Sequence, residues 1–314
     1  MISTRMEESP QPPKVSVLIV SSNSAEPLRR CLAALERSKD RETFEILVVD
    51  SGSADESPTL DAEFPAATFL RLPRNFGLTK ALNIGMRTAK GELVFFLDPN
   101  TAVLPETVSG LAAALEAEPE AVAVCPLLVD PEGRPVPEIY PLPDTRGIAA
   151  AWRAGRWGAP VAIDAGAERV SIQMPSLAAL MVRLYFLRGM RYIDERYGNS
   201  WIEAEISFQI LRASRKLLLF PGMRVVRHPE PARVCPESAR VEALLAADWV
   251  LGAAAYSGKR FGFPAALKVR LLATLSALVQ ALWALLRFGR VGYHLCRLVY
   301  LFQGQRLDGT QRLL

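Results

Sequence analysis

The chain has 314 residues, half of them hydrophobic, which allows one large domain with an appendage and excludes wholesale disorder. A net charge of +4 is too small to imply a nucleic-acid partner, and it is unevenly spread. Residues 241–314 carry nine Lys/Arg against three Asp/Glu, while residues 1–240 are net −2. The four cysteines (Cys31, Cys125, Cys235 and Cys296) are far apart, with no C-x-x-C and no Cys/His pair at metal-ligand spacing, so they read as reduced thiols of a cytosolic protein.

The start, "MISTRMEESPQPPK", mixes acids and prolines and lacks the apolar run of a signal peptide, so residues 1–13 read as a disordered lead-in. From Lys14 the pattern alternates. "VSVLIV" is a strand-length apolar run, and "EPLRRCLAALERS" places Leu28, Cys31, Leu32 and Leu35 on one helical face. "FEILVVD" is a second strand, "ESPTLDAEF" a helical turn, "ATFLRL" a third strand and "GLTKALNIGMRTAK" a helix ended by Gly91. "ELVFFL" is a fourth strand. "PETVSGLAAALEAE" is a helix with Pro105 at its first position, and "AVAVCPLLV" is a fifth strand. Short buried strands alternating with helices predict an α/β fold, a mostly parallel sheet with helices on both faces. Such sheets bind ligands beyond the carboxyl ends of their strands. Asn23, Asp50, Asn75 and Asp98 all fall at or just after those ends.

Residues 130–170, rich in Pro, Gly and Trp, read as a mobile loop over that edge. Order returns with "SLAALMVRLYFL", "IDERYG", the helix-like "WIEAEISFQILRAS" and a strand "KLLLFPGMRVVRH". Between Arg270 and Arg287 lie sixteen uncharged residues. In them Leu271, Leu272, Leu275, Leu278, Val279, Leu282, Trp283 and Leu286 form one stripe, with Ala273, Ser276, Ala277, Gln280 and Ala284 opposite. Sixteen is short of the ~20 residues that span a bilayer. Lys268, Arg270, Arg287 and Arg290 flank the stretch, and Trp283 and Tyr293 are suited to headgroup level. The two readings are a helix lying in the plane of a membrane and a helix pair packed on the domain or on a second copy. The positive charge of the tail favours the membrane.

In order and spacing, "VSVLIVSSN", "EILVVDSGSADES", "RNFGLTKALNIGMRTAKGELVFFLDPNT", "IDERY" and "VVRH" resemble the family 2 inverting glycosyltransferases. The nearest likeness is to bacterial rhamnosyltransferase-like members that decorate cell-surface polysaccharides, and it covers roughly residues 14–230. The resemblance implies a GT-A fold over 14–235 followed by a C-terminal helical segment over 236–314. It also implies a nucleotide-sugar donor of the dTDP-rhamnose or UDP-sugar type, and a lipid-linked or polysaccharide acceptor. The same likeness implies a Mg²⁺ or Mn²⁺ ion. No nucleic acid is expected from the small net charge, and the apolar, basic tail suggests a place on the inner face of the cytoplasmic membrane; oligomeric state stays open.

By position the resemblance assigns Ser21, Ser22 and Asn23 to the nucleobase, and Asp50, Ser51 and Ser53 to the base or ribose. Asn75, Gly77, Lys80 and Asn83 fall beside the nucleotide, with Lys80 toward phosphate. Read from residues alone, Asp50–Ser53 is equally a turn with a helix cap and Lys80 a solvated helix lysine. "DPN" stands at the family's D-x-D position, where a carboxylate holds the metal on the donor diphosphate. Asp98 carries the acid, and Asn100 replaces the usual third-place Asp with an uncharged ligand, so metal binding is expected to weaken. A strand-end Asp closing an Asx turn is the plain alternative. His228 is a candidate third metal ligand or a structural histidine.

The family's E-D-x-D segment corresponds to Ile202-Glu203-Ala204-Glu205, making Glu203 the general base and Glu205 the second acid. Solvent-facing helix acids are the bland reading. Asp194 matches a site-edge acid. Departures at Ser22, Asn100, Glu203 and Gln209 also fit a degenerate relative that binds nucleotide or glycan without turnover. An NAD-type oxidoreductase is disfavoured because "SSNSAE" after the first strand has no glycine.

Overall fold

The computed structural model describes residues 12–229, 239–286 and 290–304. Most of the expected lead-in, Cys235, the expected boundary at 235/236 and Arg287 lie outside the described residues. In chain order the elements are β1 (Val15–Ser21), α1 (Ala25–Glu36), β2 (Phe44–Asp50), β3 (Ala67–Arg71), α2 (Leu78–Thr88), β4 (Leu93–Leu97) and β5 (Thr101–Val103). There follow α3 (Thr107–Ala117), β6 (Ala121–Val129), β7 (Ile139–Tyr140), α4 (Thr145–Ala154), β8 (Val170–Ser171), β9 (Met174–Pro175) and β10 (Ala179–Arg183). Last come α5 (Leu184–Gly189), α6 (Ile202–Arg212), β11 (Lys216–Arg227), α7 (Ala239–Phe261), α8 (Phe263–Leu286) and α9 (Val291–Gln303).

The main sheet runs β3-β2-β1-β4-β10-β6-β11-β5, with β8 paired to β11; β7 and β9 form a separate ribbon. Strands β1 to β4 are mutually parallel, and so are β6 and β11. β10 enters antiparallel between β4 and β6. Alternation along each strand explains the two-sided burial. Val17 and Ile19 of β1 and Phe95 of β4 face one cluster, with Leu28, Cys31 and Leu32 of α1 and Leu111 of α3. Leu18 and Phe96 face the other, with Leu82 and Met86 of α2 and Ile202 and Ile206 of α6. Buried strands covered on both faces read as unbroken apolar runs, as these do.

Two expectations need correcting. α3 begins at Thr107, so Pro105 sits in the preceding turn, where its carbonyl accepts from Lys39 N. The 130–170 segment is not a bare loop: Asp144 caps α4 through Gly147 N at 2.7 Å, and Trp152 is buried. Its hydrophobics are widely spaced, so the sequence pattern hid their common face.

α7 shares a core with the sheet domain through Ala243, Ala247, Val250 and Tyr256. Polar ties accompany the packing. Trp249 Nε1 donates to Ala151 O at 2.9 Å, and Lys259 Nζ reaches Glu205 Oε1 at 2.6 Å and Asp194 Oδ2 at 3.2 Å. α8 runs for 24 residues rather than sixteen, because Lys268 and Arg270 continue the helix instead of ending it. Its buried side chains are Ala266, Ala273, Ala277, Ala281 and Ala284, while Leu271, Leu275, Leu282 and Leu286 stand 53–74% exposed.

Glu205 is 1% exposed, so removing its cationic partner strands a buried charge. Lys259→Met is expected to cost about 3–5 kcal/mol in chemical denaturation. An unchanged midpoint would mean that the neighbouring hydroxyl and amide satisfy Glu205 alone.

Candidate functional site

Parallel pairing puts the carboxyl ends of β1, β2 and β4 on one edge: Ser21 pairs with Asp50, and Ile19 with Leu97. Two clefts open there. The larger, of about 450 Å³, is lined by Ser22, Asn23, Ser24, Ser51, Asn75 and Asn100 among others. The smaller, of about 170 Å³, is lined by Asp98, Glu203, Arg227 and Leu177 among others. Val20, Leu78, Pro99 and Asn199 belong to both walls, so the two join.

In the larger cleft the loops are braced by their own polar groups. Asn23, in the left-handed region at φ 50°, donates its N–H to Ser53 Oγ at 2.9 Å and accepts from Ala54 N at 2.8 Å. This bonds the tip of β1 to the loop after β2. Ser21 is buried beneath it, its hydroxyl 2.9 Å from that of Ser24. Asp50 is 2% exposed; Oδ2 accepts from Ser53 N at 3.1 Å, and Oδ1 is buried with no partner among the described residues. An unmet carboxylate oxygen at a strand tip is a strong acceptor awaiting a donor. Asn75 Oδ1 accepts from Gly77 N at 2.8 Å and from Ser51 Oγ at 3.3 Å.

Ser21, Asp50, Ser53 and Gly77 brace the loops of this cleft without lining it, and two further expected residues are turned elsewhere. Lys80 Nζ lies 4.6 Å from the centre of the Phe76 ring, held by a cation–π contact, and it lines neither cleft. Asn83 is buried and clamps Ile193 from both sides: Nδ2 donates to its carbonyl at 2.8 Å, and Oδ1 accepts from its N–H at 3.0 Å. Asn83 is thus spent on the chain at Ile193, and Lys80 on the loop that leads into α2.

In the smaller cleft, Asp98 Oδ1 gathers Asn100 N at 2.8 Å, Asn100 Nδ2 at 3.1 Å and Arg227 Nη1 at 2.8 Å. The Asx turn is therefore present together with an ion pair. Arg227 also approaches Glu138 at 3.6 Å. Asp98 Oδ2 and Asn100 Oδ1 have no donor among the described residues, and Asn100 Oδ1 is buried. His228 donates its backbone N–H to Asn100 O at 2.8 Å but lines neither cleft.

No group of three His, Cys, Asp or Glu side chains able to hold a metal occurs among the described residues. Two free oxygens, one of them charged, nonetheless fit a hard cation that takes its remaining ligands from phosphate and water, the usual habit of Mg²⁺.

Glu203 and Glu205 share α6, but residues two apart lie about 200° around a helix. Only one of them can face the cleft. Glu203 does, its Oε1 accepting from Trp157 Nε1 at 2.9 Å. Burial raises its carboxyl above the ordinary glutamate value; the Trp157 bond opposes that, and Glu138 nearby adds to it. Glu205 points into the core, where Tyr197 Oη at 2.7 Å, Gln209 Nε2 at 3.0 Å and Lys259 Nζ surround it. The expectation of a second site acid at Glu205 is thus overturned. Asp194 likewise pairs with Arg196 and Lys259, outside both clefts.

Sequence reasoning missed Arg227, Asn199, Glu138 and Trp157. Arg227 stood inside the quoted "VVRH"; the others lay in stretches without a motif.

Residues 16–160 match the family described as Glycosyl transferase family 2. Among curated proteins, the uncharacterized glycosyltransferase YfnE of Bacillus subtilis is 33% identical over 118 residues, 36% of this chain and 30% of that protein. The succinoglycan biosynthesis protein ExoO of Rhizobium meliloti is 30% identical over 36% of this chain and 32% of its own. An undecaprenyl-phosphate 4-deoxy-4-formamido-L-arabinose transferase of Enterobacter sp. is 38% identical over 32% and 33%. The chain thus spans about a third of the length of these relatives.

Among solved structures, the mannosyltransferase PcManGT from Pyrobaculum calidifontis, in complex with GDP-Man and Mn²⁺, superposes with a TM-score of 0.54. The identity is 16%, and the match covers 93% of this chain and 87% of that one. S. aureus TarS with UDP-GlcNAc gives a TM-score of 0.54 at 17% identity, over 78% and 66%. The fold is GT-A.

Gly52 shapes the turn under Asp50, with φ +68°, and a Cβ there would lie 2.5 Å from Arg74 Cα. Gly52→Ala is expected to cost about 1–3 kcal/mol, read as a lowered thermal midpoint. A variant as stable as the parent would show that the turn can rearrange.

Proposed function

We propose that the chain is an inverting glycosyltransferase, moving a sugar from a nucleotide-sugar donor to a lipid-linked or polysaccharide acceptor in cell-surface glycan synthesis. A dTDP-rhamnose or UDP-sugar donor is the type favoured by the sequence resemblance. The observation that carries the reading is Asp98 and Glu203 lining one pocket that opens into the cleft of Asn23, Ser51 and Asn75. The family 2 match and relatives named for glycan synthesis support it.

In this reading the unmet Asp50 Oδ1 accepts from the nucleobase N–H or a ribose hydroxyl, beside Ser22, Asn23, Ser51 and Ser53. The acceptor hydroxyl approaches Glu203, whose Oε1 is already taken by Trp157, so Oε2 receives the proton. The acceptor oxygen bonds to the anomeric carbon as the bond to the nucleoside diphosphate breaks, and the configuration inverts. Asp98 and Asn100 would hold Mg²⁺ or Mn²⁺, which neutralises charge on the departing diphosphate. An uncharged ligand at Asn100 makes that binding weak.

Glu203→Gln is expected to lower kcat by about 10²–10⁴-fold while nucleotide still raises the melting point. The rate of the parent should fall on the acid side with a midpoint above the ordinary glutamate value, because Glu203 works ionised and burial raises its pKa. In Asp50→Ala the nucleotide-induced shift should vanish. A parent chain that binds nucleotide but transfers nothing, with or without Mn²⁺, would favour the non-catalytic binding relative instead.

The exposed leucine face of α8 is read as the part that meets a membrane, lying in its plane. Large exposed apolar faces mark interaction surfaces. Here Trp283 is 55% exposed, and Lys268 at the near end is exposed with no ion pair among the described residues. Arg290 contributes less than the sequence suggested, since it pairs with Glu242. By length and composition α8 is also sufficient to cross a bilayer. The full chain should float with anionic vesicles, and Leu275→Asp with Leu282→Asp should stay behind. Association into dimers that ignores lipid would assign the face to a second copy.

A further inference from the structure

We propose that Asn199 is a donor-binding residue, its Nδ2 giving a hydrogen bond to a diphosphate oxygen of the nucleotide sugar. The proposal rests on the nucleotide-sugar reading above. Asn199 lies where the two clefts join, in the wall of each. Its Oδ1 accepts from Leu78 N at 2.7 Å, which fixes the amide, because the reverse orientation would set an NH₂ against an N–H. Nδ2 therefore points away from α2, and it is buried without a partner among the described residues. Buried donors are rarely left unmet without a reason.

The location names the acceptor. The nucleoside end of the donor belongs with Ser51 and Asn75 in the larger cleft, and the sugar belongs beside Glu203 in the smaller one. What spans the junction is the diphosphate, whose oxygens only accept. A neutral N–H donor there serves an anion without drawing Asp98 or Glu203 into a competing ion pair.

The surrounding segment is built to hold this residue still. Asn199 N donates to Asp248 Oδ2 at 3.0 Å, and Ser200 Oγ donates to the same oxygen at 3.1 Å, so α7 grips the loop from below. Trp201 adopts a left-handed backbone at φ 66° and packs against Trp249 of α7, with ring centres 5.5 Å apart. A strained, doubly anchored loop that stands in the wall of both clefts and carries one buried, unmet donor is the arrangement expected of a ligand contact.

Two variants separate binding from capping. Asn199→Asp keeps the oxygen that accepts from Leu78 N and loses the donor; Asn199→Ala loses both. The probes are UDP, dTDP and GDP, with the corresponding nucleosides, measured by calorimetry. Both variants are expected to lose about 10- to 100-fold in affinity for the diphosphate the parent binds, with nucleoside binding unchanged. Only Asn199→Ala should melt earlier.

If Asn199→Ala binds the diphosphate like the parent, the proposal is overturned, and a loss confined to Asn199→Asp then reports charge repulsion. A loss confined to Asn199→Ala reports the cap alone and overturns it too. A parent chain that binds none of the three overturns the nucleotide-sugar reading, and this inference with it.

Discussion

A carboxylate shut away from water must be answered by protein donors, and Glu205 draws them from three directions. Tyr197 comes from the turn before α6, Gln209 from one helical turn further on, and Lys259 from α7. The charge is costly to bury and costlier to leave alone, so the three partners and the helix move as a unit. Glu203 rides on that helix with its side chain turned the opposite way. The acid in the cleft is placed by the acid in the core, and both depend on a lysine some fifty residues downstream. This makes α7 part of the machinery that fixes the site, whatever α8 does beyond it.

The ligand edge was legible because strand ends are punctuated. Asp50 and Asp98 each close an apolar run with the residue type least suited to continue it, and parallel pairing does the rest. Asn23 and Asn75 followed from the same logic, and Ser51 from the family resemblance. Lys80 and Asn83 did not, since a helix read from its periodicity announces that it has faces but not which neighbour each face meets. Phe76 and Ile193 settled the matter in three dimensions.

The direction of β10 was invisible for a related cause. A short buried apolar run looks the same whether its neighbours run with it or against it. The Glu203 environment was hidden for a third reason: Trp157 and Glu138 arrive from a Pro- and Gly-rich stretch whose composition suggests motion, yet α4 and the β7–β9 ribbon tie it down. That Glu203 and Glu205 could not both face the cleft was readable, because two residues of separation on a helix force opposite faces. Deciding which of the pair faced the cleft required the fold.

The inverted dress of α8, alanines inward and leucines outward, sets two different rules for how this helix can drift through evolution. At Ala273 or Ala277 the constraint is volume: the neighbouring helices approach closely, and even one added methylene must displace them. Leu275 and Leu282 are exposed, and under the membrane reading proposed above the constraint there would be apolar character alone, so isoleucine, valine, phenylalanine or methionine could trade places. Under that reading, descendants of this chain would keep a frozen column of small side chains beside a shuffled column of greasy ones.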